Sequence, residues 1–197
     1  MGKDCDLKVK AGDEDIALWE HIEKTTFPGV QGTPYLNNIA AKAVFLKETL
    51  SDAYRARQFK VIDNAKKLAE GLSGLGFDVL TGGTDNHMVL VNVSNLHQGL
   101  TGLTAQKCLE DCGITVDKNR LPYDNKSALV TSGIRLGTPI VTRNGMGSAE
   151  MENISALIDV VLKEVKPREG GEYELNESFV KEVRDTVKQL CHRFPMR

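Results

Sequence analysis

The change of hydrophobic period along the chain constrains the fold more than any other feature. Before about residue 75 and after about residue 150, apolar residues recur at steps of three and four, the spacing of amphipathic helices. Between these regions, short runs such as Met88–Val93 and Ile134–Leu136 have the length and composition of strands, the first buried on both faces or nearly so. Helices, then short strands, then helices predict an α+β fold, in which an antiparallel or mixed sheet is covered by helices.

Residues that favour helix ends predict where the helices begin and stop. Asp13 and Glu14 start a helix over 13–25, and Thr33 with Pro34 starts the next one. Further helices are predicted from Ser51 to Gly76, over 103–112, over Ile154–Val165 and over Val180–Phe194, and further strands over Phe77–Leu80 and Ile114–Val116. The helix that begins at Ser51 is predicted to bury Phe59, Ile62, Ala65, Ala69 and Leu72.

Composition narrows the class of protein. The 197 residues carry 25 Lys and Arg against 27 Asp and Glu, with no basic block that would indicate a nucleic-acid surface. No apolar run approaches the roughly 18 residues of a membrane span, and the N-terminus around Gly2 lacks the apolar core of a signal peptide. The four cysteines, Cys5 among them, form no C-x-x-C pair, so no metal site is predicted. The sequence instead predicts a cytoplasmic protein with reduced thiols.

The run SGIRLGTP at residues 132–139 places one arginine among small and apolar residues. Ile134 and Leu136 flank Arg135 as in a strand, and the neighbouring glycines allow a ligand or a second backbone to come close. An arginine keeps its charge and is rarely buried without a partner, which is best a carboxylate or phosphate held by two parallel N–H···O bonds. Spacing alone leaves two interpretations open: a ligand anchor, or a buried structural ion pair with an Asp or Glu of the same fold.

Three other segments carry polar groups that could either contact a ligand or have a structural role. The turn-rich GGTDNH at 82–87 lacks the lysine of a P-loop, so a tight turn is favoured over a phosphate site, and His87 is expected to be a core histidine. GVQGTP at 29–34 offers backbone N–H groups to an anion at a helix N-terminus, although a capped loop explains it better when taken alone. Asn119 follows a predicted strand, and its amide could face a ligand.

Read in order, the segments of this chain resemble the C-terminal half of serine hydroxymethyltransferases. The resemblance extends from about residue 10 to the end of the chain, and its specificity comes from the order and spacing of several motifs together. The matching segments are FPGVQGTP (27–34), IAAKAVFLKE (39–48), NAKKLAEGL (64–72), GGTDNHMVLVNV (82–93), LTAQKCLEDCGITVDKN (103–119) and SGIRLGTP (132–139).

The resemblance implies a pyridoxal-phosphate enzyme of the aspartate-aminotransferase fold type (fold type I), of which this chain would be the small C-terminal domain. That family interconverts serine and glycine, transfers the one-carbon unit to tetrahydrofolate and forms homodimers. Arg135 matches the arginine that binds the amino-acid carboxylate. Gly32 and Thr33 match positions whose backbone approaches the cofactor phosphate of the neighbouring subunit, where the family has a second glycine in place of Thr33. The residues that match the folate side are Asn119, Ser127, Ala128 and Leu129.

One departure from the family is an absent motif. The lysine that binds pyridoxal phosphate lies in a Thr-His-Lys-Thr context, which the 197 residues do not contain; Lys24-Thr25-Thr26 has the reverse order. We therefore expect a C-terminal fragment that is inactive alone. Residues 1–34 would be a remnant of the large domain with its connecting loop, and 35–197 the linking helices and small domain.

Two alternatives remain open at this point. The chain could be a naturally short, non-catalytic binding or dimerisation module that pairs with a full-length subunit, or it could belong to another family of the same fold type. In either case a piece separated from a larger subunit exposes apolar surface, so we expect self-association through the alanine-rich helix at 35–50.

Overall fold

The computed structural model describes residues 7–196, so Gly2 and Cys5 lie outside the described residues. The chain divides into two compact units, the first ending at Ser51 and the second beginning at Asp52. The boundary expected after residue 34 concerns the domains of a parent enzyme, and it stays a prediction.

The first unit begins with a β-hairpin where a helix was predicted. Strands β1 (Lys8–Ala11) and β2 (Glu14–Ala17) pair antiparallel, and Gly12 makes the turn between them with φ 69°. The prediction of a helix over 13–25 is therefore wrong for its first residues, because Asp13 and Glu14 belong to the turn and the second strand. Helix α1 (Leu18–Lys24) follows, and the next residues (Thr25–Val30) do not continue it as a regular helix, because the backbone of Phe27 is extended (φ −138°, ψ 125°).

Helix α2 (Leu36–Thr49) completes this unit and begins later than predicted. Its N-cap is Tyr35, whose side chain makes no capping hydrogen bond, so the prediction that Thr33 caps the helix is wrong. The helix buries none of its residues. Its large apolar side chains are between 52% and 72% exposed: Leu36, Ile39, Val44, Phe45 and Leu46.

The second unit is an α+β structure built on one antiparallel sheet. Its helices are α3 (Asp52–Gly74), α4 (Gly102–Asp111), α5 (Pro139–Arg143), α6 (Ser148–Glu164) and α7 (Glu177–Arg193). Its strands are β3 (Asp78–Val79), β4 (Met88–Asn92), β5 (Asp117–Asn119), β6 (Gly133–Gly137), β7 (Lys166–Pro167) and β8 (Tyr173–Glu174). The main sheet has the order β3-β4-β6-β5 with every neighbouring pair antiparallel, and β7 pairs with β8 apart from it. The predicted α+β class is confirmed.

The core lies on one face of this sheet. Val89 and Val91 of β4 and Ile134 of β6 are fully buried, and they join one apolar cluster with residues of α3, α4 and α6. The residues that alternate with them are not fully buried, among them Met88 and Leu90. The expectation that β4 is buried on both faces, or nearly so, is therefore wrong, because helices cover β4 only on the core side.

Helix α3 turns a slightly different face inward than the sequence pattern indicated. Ala65, Ala69 and Leu72 are buried as predicted and Ile62 is half-buried, but Phe59 is 63% exposed. Val61 and Leu68 are buried as well, which gives a regular helical stripe at steps of three and four. Two further elements differ from the prediction. The strand expected at 114–116 forms at Asp117–Asn119, and the short helix α5 was not predicted.

A buried polar network joins the segment after β6 to α3. The Asn64 side-chain amide donates to the Thr142 hydroxyl at 2.8 Å and to the Met146 carbonyl at 3.0 Å. The Thr138 hydroxyl donates to the Val61 carbonyl at 2.8 Å. Buried polar groups are stable only when they are hydrogen-bonded in this way, so the network fixes where β6 ends relative to the long helix.

Candidate functional site

Arg135 lies in the middle of β6 and points away from the core. Its neighbours Ile134 and Leu136 are buried, and because side chains alternate along a strand, Arg135 is directed to the opposite face. Its side chain is 44% exposed, so the guanidinium is open to solvent in this chain. A cavity of about 440 Å³ on that face is lined by His87, Met88, Thr115, Val116, Asp117, Arg135, Leu136 and Gly137.

The partner of Arg135 in this structure is a carboxylate of the same sheet. Asp117 stands directly opposite Arg135 in the pairing of β5 with β6, and Asp117 Oδ2 lies 2.7 Å from Arg135 Nη2. An ion pair within the fold was one of the two interpretations that the sequence left open, but this pair is exposed and not buried. Exposed pairs of this kind contribute roughly 0–1 kcal/mol to stability, so the pair does not by itself explain why an arginine is placed here.

His87 belongs to the same cavity, contrary to the expectation of a core histidine. It immediately precedes β4, and its side chain is exposed. Its backbone carbonyl accepts a hydrogen bond from the Thr138 N–H at 3.1 Å, which ties the beginning of β4 to the end of β6. Neither His87 nor Asp117 was singled out as a site residue from the sequence, because only the strand pairing brings them beside Arg135.

Asn119 shares the face of Arg135. It lies two residues beyond Asp117 on β5, opposite Gly133, and alternation directs Asp117 and Asn119 to the same side. The Asn119 amide donates to the Arg120 carbonyl at 2.7 Å. The sheet thus places Asn119 and Arg135 on the same face.

The carboxylate of Asp124 organises the loop between β5 and β6. It accepts hydrogen bonds from the N–H groups of Leu121 (3.3 Å), Lys126 (2.9 Å) and Ser132 (2.8 Å), and from the Ser132 hydroxyl (2.8 Å). Burial alone would raise the pKa of Asp124, but these hydrogen bonds to the charged form outweigh it and lower the pKa to about 2. The loop carries the exposed residues Ser127, Ala128 and Leu129.

Gly32 and Thr33 belong to the first unit, in the exposed segment that precedes α2. Neither residue has the positive φ that favours glycine, and a Cβ placed on Gly32 would meet no atom within 4 Å. A threonine at position 33 therefore causes no backbone strain. Because the helix begins only at Leu36, these residues lie before its first turn and not within it.

Two of the described cysteines are buried thiols. Cys108 and Cys112 are buried on one side of α4, and burial raises the pKa of Cys108 to about 12 and also raises that of Cys112. Both are therefore protonated near neutral pH. Within residues 7–196 no group of three or more His, Cys, Asp or Glu side chains is placed to hold a metal ion. In the same range no helix combines the length and apolar character needed to cross a bilayer.

Fold and site together define an α+β protein that presents a cationic side chain on the open face of a small antiparallel sheet. In a comparison with known protein families, the sequence model of the family described as "Serine hydroxymethyltransferase" matches residues 3–158. The chain therefore belongs to the serine hydroxymethyltransferase family. The matched range includes every site residue discussed above, from Gly32 to Arg135.

Acid should destabilise the second unit in a way that depends on Asp124. Its pKa is lower in the folded chain than in the unfolded one, so its contribution to stability is present above about pH 4 and is lost as the pH falls towards 2. Asp124→Asn should lower the free energy of unfolding at pH 7 by about 1 kcal/mol, a value reduced for solvent exposure. The variant should also lose less stability than the original chain as the pH falls from 4 to 2. Urea titrations across this pH range measure both effects.

The matched control for this prediction is Asn125→Ala, the next residue of the same loop, which should keep the acid slope of the original chain. A slope between pH 4 and 2 that Asp124→Asn leaves unchanged would contradict the assignment.

Proposed function

We propose that this chain supplies the substrate-carboxylate and folate sides of a serine hydroxymethyltransferase active site. The observation that carries the proposal is the placement of Arg135, an accessible guanidinium in a cavity of about 440 Å³ on the open face of the sheet. The reaction of the complete enzyme would interconvert serine and glycine, with transfer of the one-carbon unit to tetrahydrofolate. Membership of the family supports this assignment.

Arg135 would bind the carboxylate of the amino acid. A guanidinium is charged at every physiological pH and presents N–H groups in a planar fork that matches a carboxylate. β6 pairs with a strand on each side, so the backbone that carries the guanidinium is fixed. A bound carboxylate held at this point would orient the bonds at the amino acid's Cα for the reaction.

The folate side would be formed by the loop and strand next to Arg135. Asn119 lies on the same face of the sheet, and Ser127, Ala128 and Leu129 are exposed in the loop that Asp124 organises. An exposed segment held by several hydrogen bonds to one carboxylate has little conformational entropy left to lose when a large ligand binds. This supports a binding role for the loop.

Pyridoxal phosphate would be only partly accommodated by the residues of this chain. The backbone at Gly32 and Thr33 is open and unstrained, which suits a contact with the phosphate of a neighbouring subunit's cofactor. When bound, the cofactor withdraws electrons from the amino acid's Cα. The cavity of Arg135, however, has no lysine in its lining, and the sequence has no Thr-His-Lys-Thr motif. We therefore propose the small domain of a fold type I enzyme, inactive without the missing lysine.

A second candidate function is a dimerisation module without catalysis. The exposed apolar side chains of α2 favour it, because a large amount of exposed apolar surface usually marks an interface. The two functions are compatible with one another, since the family's cofactor contact through Gly32 and Thr33 would itself need a second subunit.

The exposed apolar side chains of α2 should cause self-association. Ile39→Glu with Val44→Glu should shift the chain towards monomer, because each substitution places a charge among exposed apolar side chains that a partner would cover. Sedimentation velocity at concentrations from 5 to about 200 µM, spanning the range of weak dimers, measures the change. Lys47→Glu on the same helix is the control for the added charge. A monomer at all concentrations for the original chain would contradict the proposal.

The isolated chain should not bind pyridoxal phosphate covalently at a defined position. Incubation with the cofactor, reduction with borohydride and peptide mass spectrometry should give only scattered, substoichiometric lysine adducts. One stoichiometric adduct at a single lysine, together with cleavage of serine, would overturn the proposal that the chain is inactive alone.

Arg135→Ala in the complete enzyme should affect the substrate far more than the cofactor. Loss of a charged hydrogen bond predicts a KM for serine about 10- to 100-fold higher, with a lower turnover and unchanged cofactor absorbance. Arg143→Ala, an exposed arginine on α5, is the matched control and should behave as the original enzyme. Equal loss of cofactor and substrate binding in Arg135→Ala would instead indicate a structural ion pair.

A further inference from the structure

Asp117 forms an ion pair with Arg135, the residue whose guanidinium would bind the substrate carboxylate in the proposed function. Its Oδ2 lies 2.7 Å from Arg135 Nη2, and the two residues are direct cross-strand neighbours in the pairing of β5 with β6. Both side chains line the same cavity and both are accessible, at 63% and 44% of their surface. A ligand carboxylate that enters the cavity therefore meets an arginine that already has an anionic partner.

The fixed carboxylate has two advantages over a free ligand. It is held beside Arg135 by backbone pairing, so it loses no translational freedom when the ion pair forms. It also repels a second carboxylate, because like charges a few ångströms apart disfavour one another even in water. The contact involves one terminal nitrogen of the guanidinium, so a ligand can share the arginine with Asp117, but only against this repulsion.

The charges that line the cavity determine which ligands tolerate this arrangement. In the lining, Arg135 is the basic residue and Asp117 the acidic one, with His87 as the remaining titratable group. A simple carboxylate adds a second negative charge next to Asp117. An α-amino acid brings an ammonium group together with its carboxylate, and the attraction of that group to Asp117 offsets the repulsion.

We propose that Asp117 is a specificity-determining residue of the Arg135 site, which disfavours simple carboxylates and thereby selects zwitterionic α-amino acids. This inference rests on the proposed function, in which Arg135 binds the carboxylate of an amino acid. It adds a residue and a selection rule that the role of Arg135 alone does not contain.

The experiment compares acetate with glycine on the 197-residue chain. Both are titrated at pH 7 and constant ionic strength into ¹⁵N-labelled chain, and the Arg135 Nε–H signal and the Gly137 amide report binding. Asp117→Asn should bind acetate about three- to tenfold more tightly than the original chain, the effect expected for removing one like charge at this range in high dielectric. Glycine should gain less, so the ratio of glycine to acetate affinity should fall.

Two further variants test the mechanism. Asp117→Glu keeps the charge and should restore the preference of the original chain. Asp185→Asn on α7 removes an aspartate whose side chain is 51% exposed and whose partner, Lys188, lies 3.6 Å away, and it should leave both affinities unchanged. The amide spectrum of each variant reports whether it is folded.

Each remaining outcome overturns a defined part of the interpretation. If Asp117→Asn binds acetate as the original chain does, or more weakly, Asp117 does not compete for the guanidinium and the inference fails, while the proposed function stands. Equal gains for acetate and glycine would remove the selection rule. If neither ligand shifts the Arg135 signal in the original chain or in Asp117→Asn, the inference fails, while the carboxylate role of Arg135 is decided separately by the kinetics of Arg135→Ala in the complete enzyme.

Discussion

The pairing of β6 with β4 on one side and β5 on the other is the constraint on which the second unit depends. It places Ile134 and Leu136 in the core and so forces Arg135 to the open face. A slip of one residue in this register would bury the guanidinium and expose two aliphatic side chains, at a cost of several kcal/mol for the buried charge alone. The position of the candidate site is thus a consequence of the hydrophobic alternation in the central strand.

The surroundings of that strand limit its movement without contributing to the core. Asn64, Thr138 and Thr142 join the end of β6 to α3 through buried hydrogen bonds, and Asp124 holds the loop at its beginning. Both sets of contacts are polar and directional, so they fix position more than they add stability. A site that must orient a small ligand benefits from this arrangement, since displacement of a binding group by about 1 Å can cost a large part of its effect.

The sequence predicted the elements whose pattern is long and regular. Helices α6 and α7 and the strand around Arg135 follow from periodicity alone, because packing on one side determines the pattern over many residues. The hairpin of β1 and β2 was missed, since four-residue strands give too short a pattern and the acidic residues of its turn are equally typical of a helix start. The exposure of Arg135 could not be predicted either. Alternation of apolar and polar residues along a strand indicates that its two faces differ, but it does not indicate whether another element covers the polar face. Asp117 and His87 became site residues only through strand pairing, which joins positions far apart in the chain.

Arg135 is accessible, whereas a buried ion pair was one of the two interpretations that the sequence left open, and accessibility is what an exchangeable binding group requires. Breaking a buried ion pair by removing one partner costs roughly 3–5 kcal/mol, and a ligand would have to supply that energy before binding at all. An exposed pair costs roughly 0–1 kcal/mol to separate, so Asp117 can hold the guanidinium without trapping it. Affinity for the correct ligand must then come from the other contacts that it makes. An arginine on an open sheet is for this reason better suited to selecting a ligand than to retaining it, and retention has to come from groups outside this cavity.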